Sequence, residues 1–250
     1  MQGKKVTWIS FSIAFLLVLM MWLVFALDYF IKLDLYTFGL YPKKLSGLIG
    51  IFTSPFIHST QDFSHILNNS APAFVLTWLL FYHYRTLATK SFLFIYFFTG
   101  ITMWFFAREN YHIGMSGIIY GLTSFLVVSG FIRKNMRVAA ISLMVVFLYG
   151  SMVWGIFPTK VGVSWEAHFL GLLSGILIAV YYRKSGPQPG KMRYEVLEEL
   201  GVEPTEEYWK VGYKPKPKEE ENEGRIIINY TVVPSKPKVI NEKEDEPETE

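Results

Sequence analysis

Near the middle of the chain, a strongly apolar segment begins with the small and polar residues Gly114-Met115-Ser116-Gly117-Ile118-Ile119-Tyr120-Gly121. Residues of this kind have two common uses at such a position. In membrane helices, Gly and Ser let two helices pack closely. A serine beside a general base is instead a nucleophile. The polar residues elsewhere in the chain decide between these two uses.

The composition divides the chain into an apolar part and a charged part. Of the 250 residues, 51% are hydrophobic and 17% are aromatic. Residues 1–182 contain 12 Lys and Arg but only 5 Asp and Glu, whereas residues 183–250 contain 12 and 16. This distribution predicts a multi-pass membrane domain over residues 1–184 and a charged cytoplasmic tail over residues 185–250. The Pro-, Lys- and Glu-rich tail is expected to be mostly disordered.

The composition also excludes two classes of function. The sequence contains no cysteine, which excludes a disulfide framework and thiolate chemistry. It has no basic patch interleaved with aromatic residues, as a nucleic-acid-binding domain would have, and so we expect no nucleic-acid partner.

Six apolar segments are long enough, or nearly long enough, to cross a bilayer. They predict helices at about residues 8–30, 63–84, 91–107, 115–132, 138–157 and 167–182. The first segment is too long for the apolar region of a signal peptide and lacks a small-residue cleavage site, so we expect it to be retained. The connection at residues 31–62 is rich in aromatic residues, Gly and Pro, and is expected to lie partly in the membrane interface.

The charges of the short loops predict how the protein lies in the membrane. If the N-terminus is cytoplasmic, nine Lys and Arg residues fall on the cytoplasmic side and five on the outer side. Cytoplasmic loops carry the excess of positive charge, so both termini are predicted to be cytoplasmic. Helices 2, 4 and 6 then all begin at the outer face.

Four polar residues with catalytic chemistry fall near the starts of these three helices. They are His65 and Asn69 in helix 2, Ser116 in helix 4 and His168 in helix 6. Polar groups within a membrane are costly unless they are paired or face a water-filled cavity. Their shared depth near the outer face therefore predicts a single site.

These residues have the chemistry of a serine hydrolase. A serine hydroxyl needs a base to take its proton, and His168 is the candidate base for Ser116. A tetrahedral intermediate needs hydrogen-bond donors, which His65, Asn69 and the Ser116 backbone N–H can provide. His65 and Asn69 are four residues apart and share a helix face. Gly114 lets the backbone approach a substrate carbonyl closely.

The small residues near the serine and the histidine predict close packing between helices 4 and 6. Gly117 and Gly121 lie on one face of helix 4, and Gly171 and Gly175 lie on one face of helix 6. If these two faces meet, the serine and the histidine come close enough to form a hydrogen bond. Tyr120, one turn after the serine, is expected to support the imidazole ring.

Two of these assignments have rivals in the sequence. His112 is the main rival to His168 as the base, and Asn68 shares a helix face with His65 as Asn69 does. The Gly-x-Ser-x-Gly elbow of soluble hydrolases is excluded, because Ile118 stands where the second glycine would be.

Two further polar residues are interpreted as structural. His58 precedes His65 by seven residues and is interpreted as a loop-packing or interfacial histidine. Glu166 is interpreted as an acidic residue in the first turn of helix 6, where it is favourable to the helix dipole.

Taken together, these residues resemble the rhomboid family of intramembrane serine proteases. Three motifs match in order: His65-xxx-Asn69, then Gly114-Met115-Ser116-Gly117 with Tyr120, then Ala167-His168-xx-Gly171-xxx-Gly175. The resemblance covers about residues 8–182. It departs in the first loop, where many rhomboids carry a Trp-Arg pair and residues 31–62 contain neither residue.

The resemblance implies an all-α bundle of six transmembrane helices in a cell membrane. It implies a Ser116–His168 dyad without an acidic third member, and an oxyanion site made by His65, Asn69 and the Ser116 amide. The implied substrate is a transmembrane helix that is admitted sideways between helices 2 and 5 and cut near the outer surface, after small side chains. No metal ion or organic cofactor is implied.

Two other classes of function stay open at this point. One is a rhomboid-like adaptor or chaperone that binds transmembrane clients without cutting them, although the retained serine and histidine argue against it. The other is a small transporter, which an internal repeat and interrupted helices would favour. The sequence shows no such repeat, and its polar residues cluster near one face.

Overall fold

The computed structural model describes residues 2–148, 155–158 and 164–186 of the chain. Within these residues the fold is all-helical, with seven α-helices and no β-strand. The six long helices are α1, Gln2–Ile31; α2, Phe63–His83; α3, Ala88–Phe106; α4, Ser116–Ile132; α5, Met136–Leu148; and α6, Trp165–Tyr181. The seventh, Gly50–Thr53, is short and lies between α1 and α2. Beyond residue 186, the predicted tail lies outside the described residues.

The helices of the structure follow the apolar segments of the sequence. Helices α2, α4 and α6 begin and end within two residues of the predicted bounds. The predicted fifth helix differs, because residues 155–158 form a turn where the sequence suggested helix to residue 157. Pro158 lies at the end of this turn and disfavours the helical conformation in Phe157, the residue before it.

The helices differ in how well their length suits a bilayer. By length and composition, two helical segments of the described residues are long and apolar enough to cross one, Lys5–Ile31 and Arg85–Phe106. Helices α4 and α6 are apolar but have 17 residues each. At 1.5 Å per residue they are about 25 Å long, slightly less than the roughly 30 Å of a hydrocarbon core.

Helix α4 is the centre of the bundle. It packs against α2, α3, α5 and α6, and 12 of its 17 residues are buried. This central position suits a helix that is apolar on all sides, because its faces pack against other helices. Helix α1 lies outside α2, where the Trp22 indole N–H donates to the Ser70 hydroxyl at 3.0 Å.

Four glycines bring α4 and α6 into direct backbone contact. A Cβ atom at Gly171 would collide with the carbonyl oxygen of Gly117, and one at Gly175 with the carbonyl oxygen of Gly121. Any larger residue at 171 or 175 would force the helices apart. The two helices run in the same direction, so this contact brings their N-terminal ends together.

Backbone hydrogen bonds attach the loop between α1 and α2 to the segment that leads into α4. We call residues 32–62 loop 1 and residues 107–115 loop 3. Leu40 and His112 exchange two backbone hydrogen bonds, of 3.0 and 2.8 Å, and the Gly114 N–H donates to the Ser54 carbonyl at 2.8 Å. Loop 1 is therefore ordered against the start of α4 without the Trp-Arg pair that many rhomboids have there.

Candidate active site

The serine and the histidine predicted to form a dyad are in direct contact. Ser116 is the first residue of α4, and its hydroxyl lies 2.8 Å from His168 Nε2 in the first turn of α6. The serine is half-buried, whereas the histidine is buried. The distance suits proton transfer from the hydroxyl to the imidazole, so the pair has the geometry of a nucleophile and its base.

A backbone carbonyl sets the protonation of the imidazole. His168 Nδ1 lies 2.8 Å from the carbonyl oxygen of Gly155. A carbonyl oxygen can only accept, so Nδ1 carries the hydrogen and the neutral ring keeps a lone pair at Nε2. That lone pair faces the Ser116 hydroxyl. In a catalytic triad a carboxylate orients the histidine, and here a carbonyl does so. This contact could not be predicted from the sequence, because a backbone carbonyl is present in every residue type.

An aromatic ring fixes the plane of the imidazole. Tyr120 lies one turn after the serine and stacks on His168 with 4.3 Å between ring centroids and 9° between planes. Both side chains are buried. Together with the two hydrogen bonds of the imidazole, the stacked ring leaves His168 little freedom to rotate.

The turn before the serine lies against His65. Gly114 has a positive φ of 106°, and a Cβ atom there would stand 2.7 Å from His65 Nε2. Both the conformation and the space therefore require glycine. The Ser59 N–H donates a long hydrogen bond to His65 Nδ1, with 3.5 Å between the two nitrogens. This contact favours the neutral tautomer with its hydrogen at Nε2, which makes the side beside Gly114 a donor.

The structure distinguishes the two neighbouring asparagines. Asn69 is buried, and its amide donates to the His65 carbonyl at 2.7 Å, while Asn68 is exposed. The amide of Asn69 has a second hydrogen that this bond does not use. Asn69 is therefore on the inner face of α2, in the same turn as His65.

His58 lies closer to the site than the sequence suggested. It is 1% exposed, its ring centroid is 5.0 Å from that of His65, and its Nε2 lies 3.5 Å from the Met115 N–H. Burial, with a smaller effect of His65, lowers the pKa of His58 to about 3. The ring is therefore neutral near pH 7 and packs against Met115, the residue before Ser116.

The rival base has other partners. His112 Nδ1 lies 2.7 Å from the hydroxyl of Ser164, and its Nε2 lies 3.0 Å from the carbonyl of Arg108. Of the two candidate bases, only His168 makes a hydrogen bond to Ser116 in the part of the chain that the structure describes. Glu166 is in the first turn of α6, as expected, and also pairs with Arg108 at 3.3 Å.

Comparison with known proteins finds a family model and several relatives that match the chain. The model of the family described as "Rhomboid domain" matches residues 46–185. Uncharacterized proteins of Mycobacterium tuberculosis and Mycobacterium bovis are each 31% identical over 160 residues, which is 60% of this chain. The match spans 65% of the length of these relatives. An uncharacterized protein of Mycobacterium leprae is 28% identical over 212 residues, 80% of this chain and 81% of the relative.

Proposed function

Because the chain belongs to the rhomboid family, we propose that it is an intramembrane serine endopeptidase that cuts a transmembrane helix of another membrane protein. The family is membrane-embedded, and the apolar helices of the chain agree with this. The observation that carries the proposal is the 2.8 Å contact between the Ser116 hydroxyl and His168 Nε2.

The dyad accounts for both halves of a peptide hydrolysis. His168 Nε2 takes the Ser116 proton as the oxygen attacks the substrate carbonyl carbon, and it then gives that proton to the leaving amine. In the second half, a water loses its proton to the same nitrogen, attacks the acyl-enzyme ester, and Ser116 leaves with the proton restored. The Gly155 carbonyl holds His168 in the tautomer that the first step needs, and it stabilises the imidazolium that forms.

Three donors are suited to the negative oxygen of the tetrahedral intermediate. They are the backbone N–H of Ser116, the Nε2–H of His65 and the unused amide hydrogen of Asn69. The Ser116 N–H is at the N-terminus of α4, where helical N–H groups have no partner within the helix. The position of His65 Nε2 beside Gly114 supports its part in this site.

The lengths of α4 and α6 support an active site below the outer membrane surface. If these 17-residue helices end at the cytoplasmic edge of the hydrocarbon, their first turns lie several Å inside the outer edge. The proposed arrangement has six spans, with both termini cytoplasmic and the dyad toward the outer face. The charge of the predicted loops supports this orientation.

Helix α5 is the element best placed to admit a substrate helix. It packs mainly on α4 and makes only slight contact with α2 among the described residues. A weakly held α5 supports the proposal that substrates pass sideways between α2 and α5, as the family resemblance implies.

Cleavage of a transmembrane substrate by the purified protein tests the proposal. The protein in lipid vesicles is expected to cut a panel of single-span substrates, and Ser116→Ala is expected to abolish cutting. Ser12→Ala, an exposed serine of α1, is the matched control and should cut at the wild-type rate. Undiminished cutting by Ser116→Ala would overturn the proposal, and client binding without cutting would favour the adaptor function.

A further inference from the structure

A second pair of hydrogen-bonded His and Ser residues lies four residues before the dyad on both segments. His112 precedes Ser116 by four residues, and Ser164 precedes His168 by four. The His112–Ser164 contact is 2.7 Å, and the Ser116–His168 contact is 2.8 Å. Both pairs therefore connect the segment that leads into α4 with the start of α6. In the dyad the serine is on α4 and the histidine on α6, whereas in the second pair the histidine precedes α4 and the serine precedes α6.

The hydrogen bonds of His112 define its tautomer. Nε2 lies 3.0 Å from the Arg108 carbonyl, which can only accept, so Nε2 carries the hydrogen. The neutral ring therefore accepts the hydroxyl hydrogen of Ser164 at Nδ1. Burial lowers the pKa of His112, although the Arg108 carbonyl and the Glu166 charge oppose this. Both ring nitrogens of the neutral form are thus satisfied.

This pair lies where three segments of the chain meet. The backbone of His112 bonds to Leu40 of loop 1, and its ring bonds to Ser164, the N-cap residue of α6. Beside it, the Arg108 guanidinium of loop 3 pairs with the buried Glu166 carboxylate of α6. Loop 3 is therefore attached to the start of α6 by two side-chain contacts, independently of the dyad.

The position of these contacts makes them suited to setting the distance within the dyad. Ser164 begins the first turn of α6, since its carbonyl accepts from the Ala167 N–H at 3.1 Å. A shift of Ser164 relative to His112 is carried through the first turn of α6 to His168 and through residues 113–115 of loop 3 to Ser116. A displacement of about 1 Å at reacting groups can reduce a rate about 100-fold.

We propose that His112 and Ser164 are positioning residues that hold the start of α6 against loop 3 and so set the distance between Ser116 and His168. The inference rests on the proposed function, since it concerns the reactivity of that serine. Both residues act through the geometry of the dyad. Their loss lowers the rate of the chemical step and leaves substrate binding unchanged.

The test measures how fast a fluorophosphonate modifies Ser116 in the full-length protein, with kinact and KI determined separately. Ser164→Ala is expected to lower kinact about 10- to 100-fold with KI unchanged, and Ser164→Thr, which keeps the hydroxyl, to recover most of the rate. His112→Phe, which keeps a ring without nitrogens, should cause the same loss. The double variant should lose no more than the worse single variant, because the two residues act as one unit.

The matched control removes a different hydrogen bond between α4 and α6. The Ser124 hydroxyl donates to the Leu172 carbonyl at 2.8 Å, two turns beyond Ser116, so Ser124→Ala is expected to keep kinact within about twofold. A Ser164→Ala or His112→Phe variant with the kinact of this control would overturn the inference and leave the proposed function intact. Absence of labelling at Ser116 in the wild type would overturn both.

Discussion

At the scale of single residues, the site depends on neutral histidines held in defined tautomers. His168 and His112 each donate one ring N–H to a backbone carbonyl and turn the other nitrogen to a serine hydroxyl. A carbonyl can orient an imidazole in a low-dielectric site without placing a second charge there, which would be costly to bury. This explains how a dyad without a carboxylate can still present a defined base.

The burial of His58 predicts an acid-sensitive fold. Its pKa of about 3 lies below the ordinary 6.5, so between these values the unfolded chain binds a proton that the folded protein excludes. Stability is therefore full above pH 6.5 and is lost as the pH falls toward 3. We expect the unfolding temperature of the wild type to drop between pH 7 and pH 5. His58→Gln, which does not titrate, should show a smaller drop, and an identical drop in both proteins would contradict this assignment.

The side chains of the dyad and the supporting ring of Tyr120 could be predicted from the sequence, whereas the Gly155 carbonyl and the place of His58 could not. Ser116, His168 and Tyr120 stood out because polar residues are rare at the ends of apolar helices. The Gly155 carbonyl is a backbone group and is not distinguished by the sequence. The place of His58 beside His65 depends on how loop 1 packs against loop 3. Because a loop has no regular periodicity, its sequence does not show which of its residues are buried.

At the scale of helices, the contact between α4 and α6 determines whether a dyad can exist. The glycine spacing in both helices predicted that their faces meet, and the structure brings Gly117 against Gly171 and Gly121 against Gly175. The end of the fifth helix was less predictable, because the sequence stays apolar up to Pro158 while the chain has already turned by residue 155.

Replacing a contact glycine should separate the two helices. Gly171→Ala would place a methyl group on the Gly117 carbonyl, whose backbone cannot move away, and is expected to lower stability by about 1–3 kcal/mol. Gly100→Ala on α3 is the control, because its nearest neighbour is the Ile51 side-chain methyl at 2.9 Å, which can shift. Thermal unfolding in detergent measures both variants. Equal stability of Gly171→Ala and Gly100→Ala would contradict the direct contact of α4 and α6.

At the scale of the whole molecule, the two ends of the α4–α6 pair are held in different ways. At the N-terminal end of the pair are the Ser116–His168 contact and the His112–Ser164 contact. At the opposite end, the buried guanidinium of Arg133 donates to the carbonyls of Tyr182 at 2.6 Å and Ser185 at 2.8 Å. Carbonyls at a helix C-terminus carry partial negative charge, so they suit a cation. The proposed active site is thus at the opposite end of α4 from the Arg133 contacts.

Because of this separation, we expect a substitution of Arg133 to lower stability without changing the reactivity of Ser116. Arg133→Gln loses charged hydrogen bonds, each worth about 1.5–3 kcal/mol, and should unfold at a lower temperature than the wild type. Below that temperature it should label Ser116 at the wild-type rate, because the dyad lies at the other end of α4. Lys134→Gln, an exposed neighbour, should change neither property. A large loss of labelling in folded Arg133→Gln would contradict the separation.

The rhomboid family and the all-helical fold of the described residues could both be predicted from the sequence, and both are confirmed. Six apolar segments and three short motifs sufficed, because a membrane restricts a chain to few folds and leaves polar residues few places. The attachment of loop 1 to loop 3 through Leu40 and His112 could not be predicted, since backbone hydrogen bonds between loops depend on no residue type.

In the proposed mechanism, His168 activates Ser116 within the membrane domain. The most direct test compares the rate of fluorophosphonate labelling of Ser116, identified by mass spectrometry, in the wild type and in His168→Ala in lipid vesicles. A positioned general base contributes about 100- to 10,000-fold, so we expect Ser116 to be labelled in the wild type and at least about 100-fold more slowly in folded His168→Ala. Labelling of Ser116 at equal rates in the two proteins would contradict the claim.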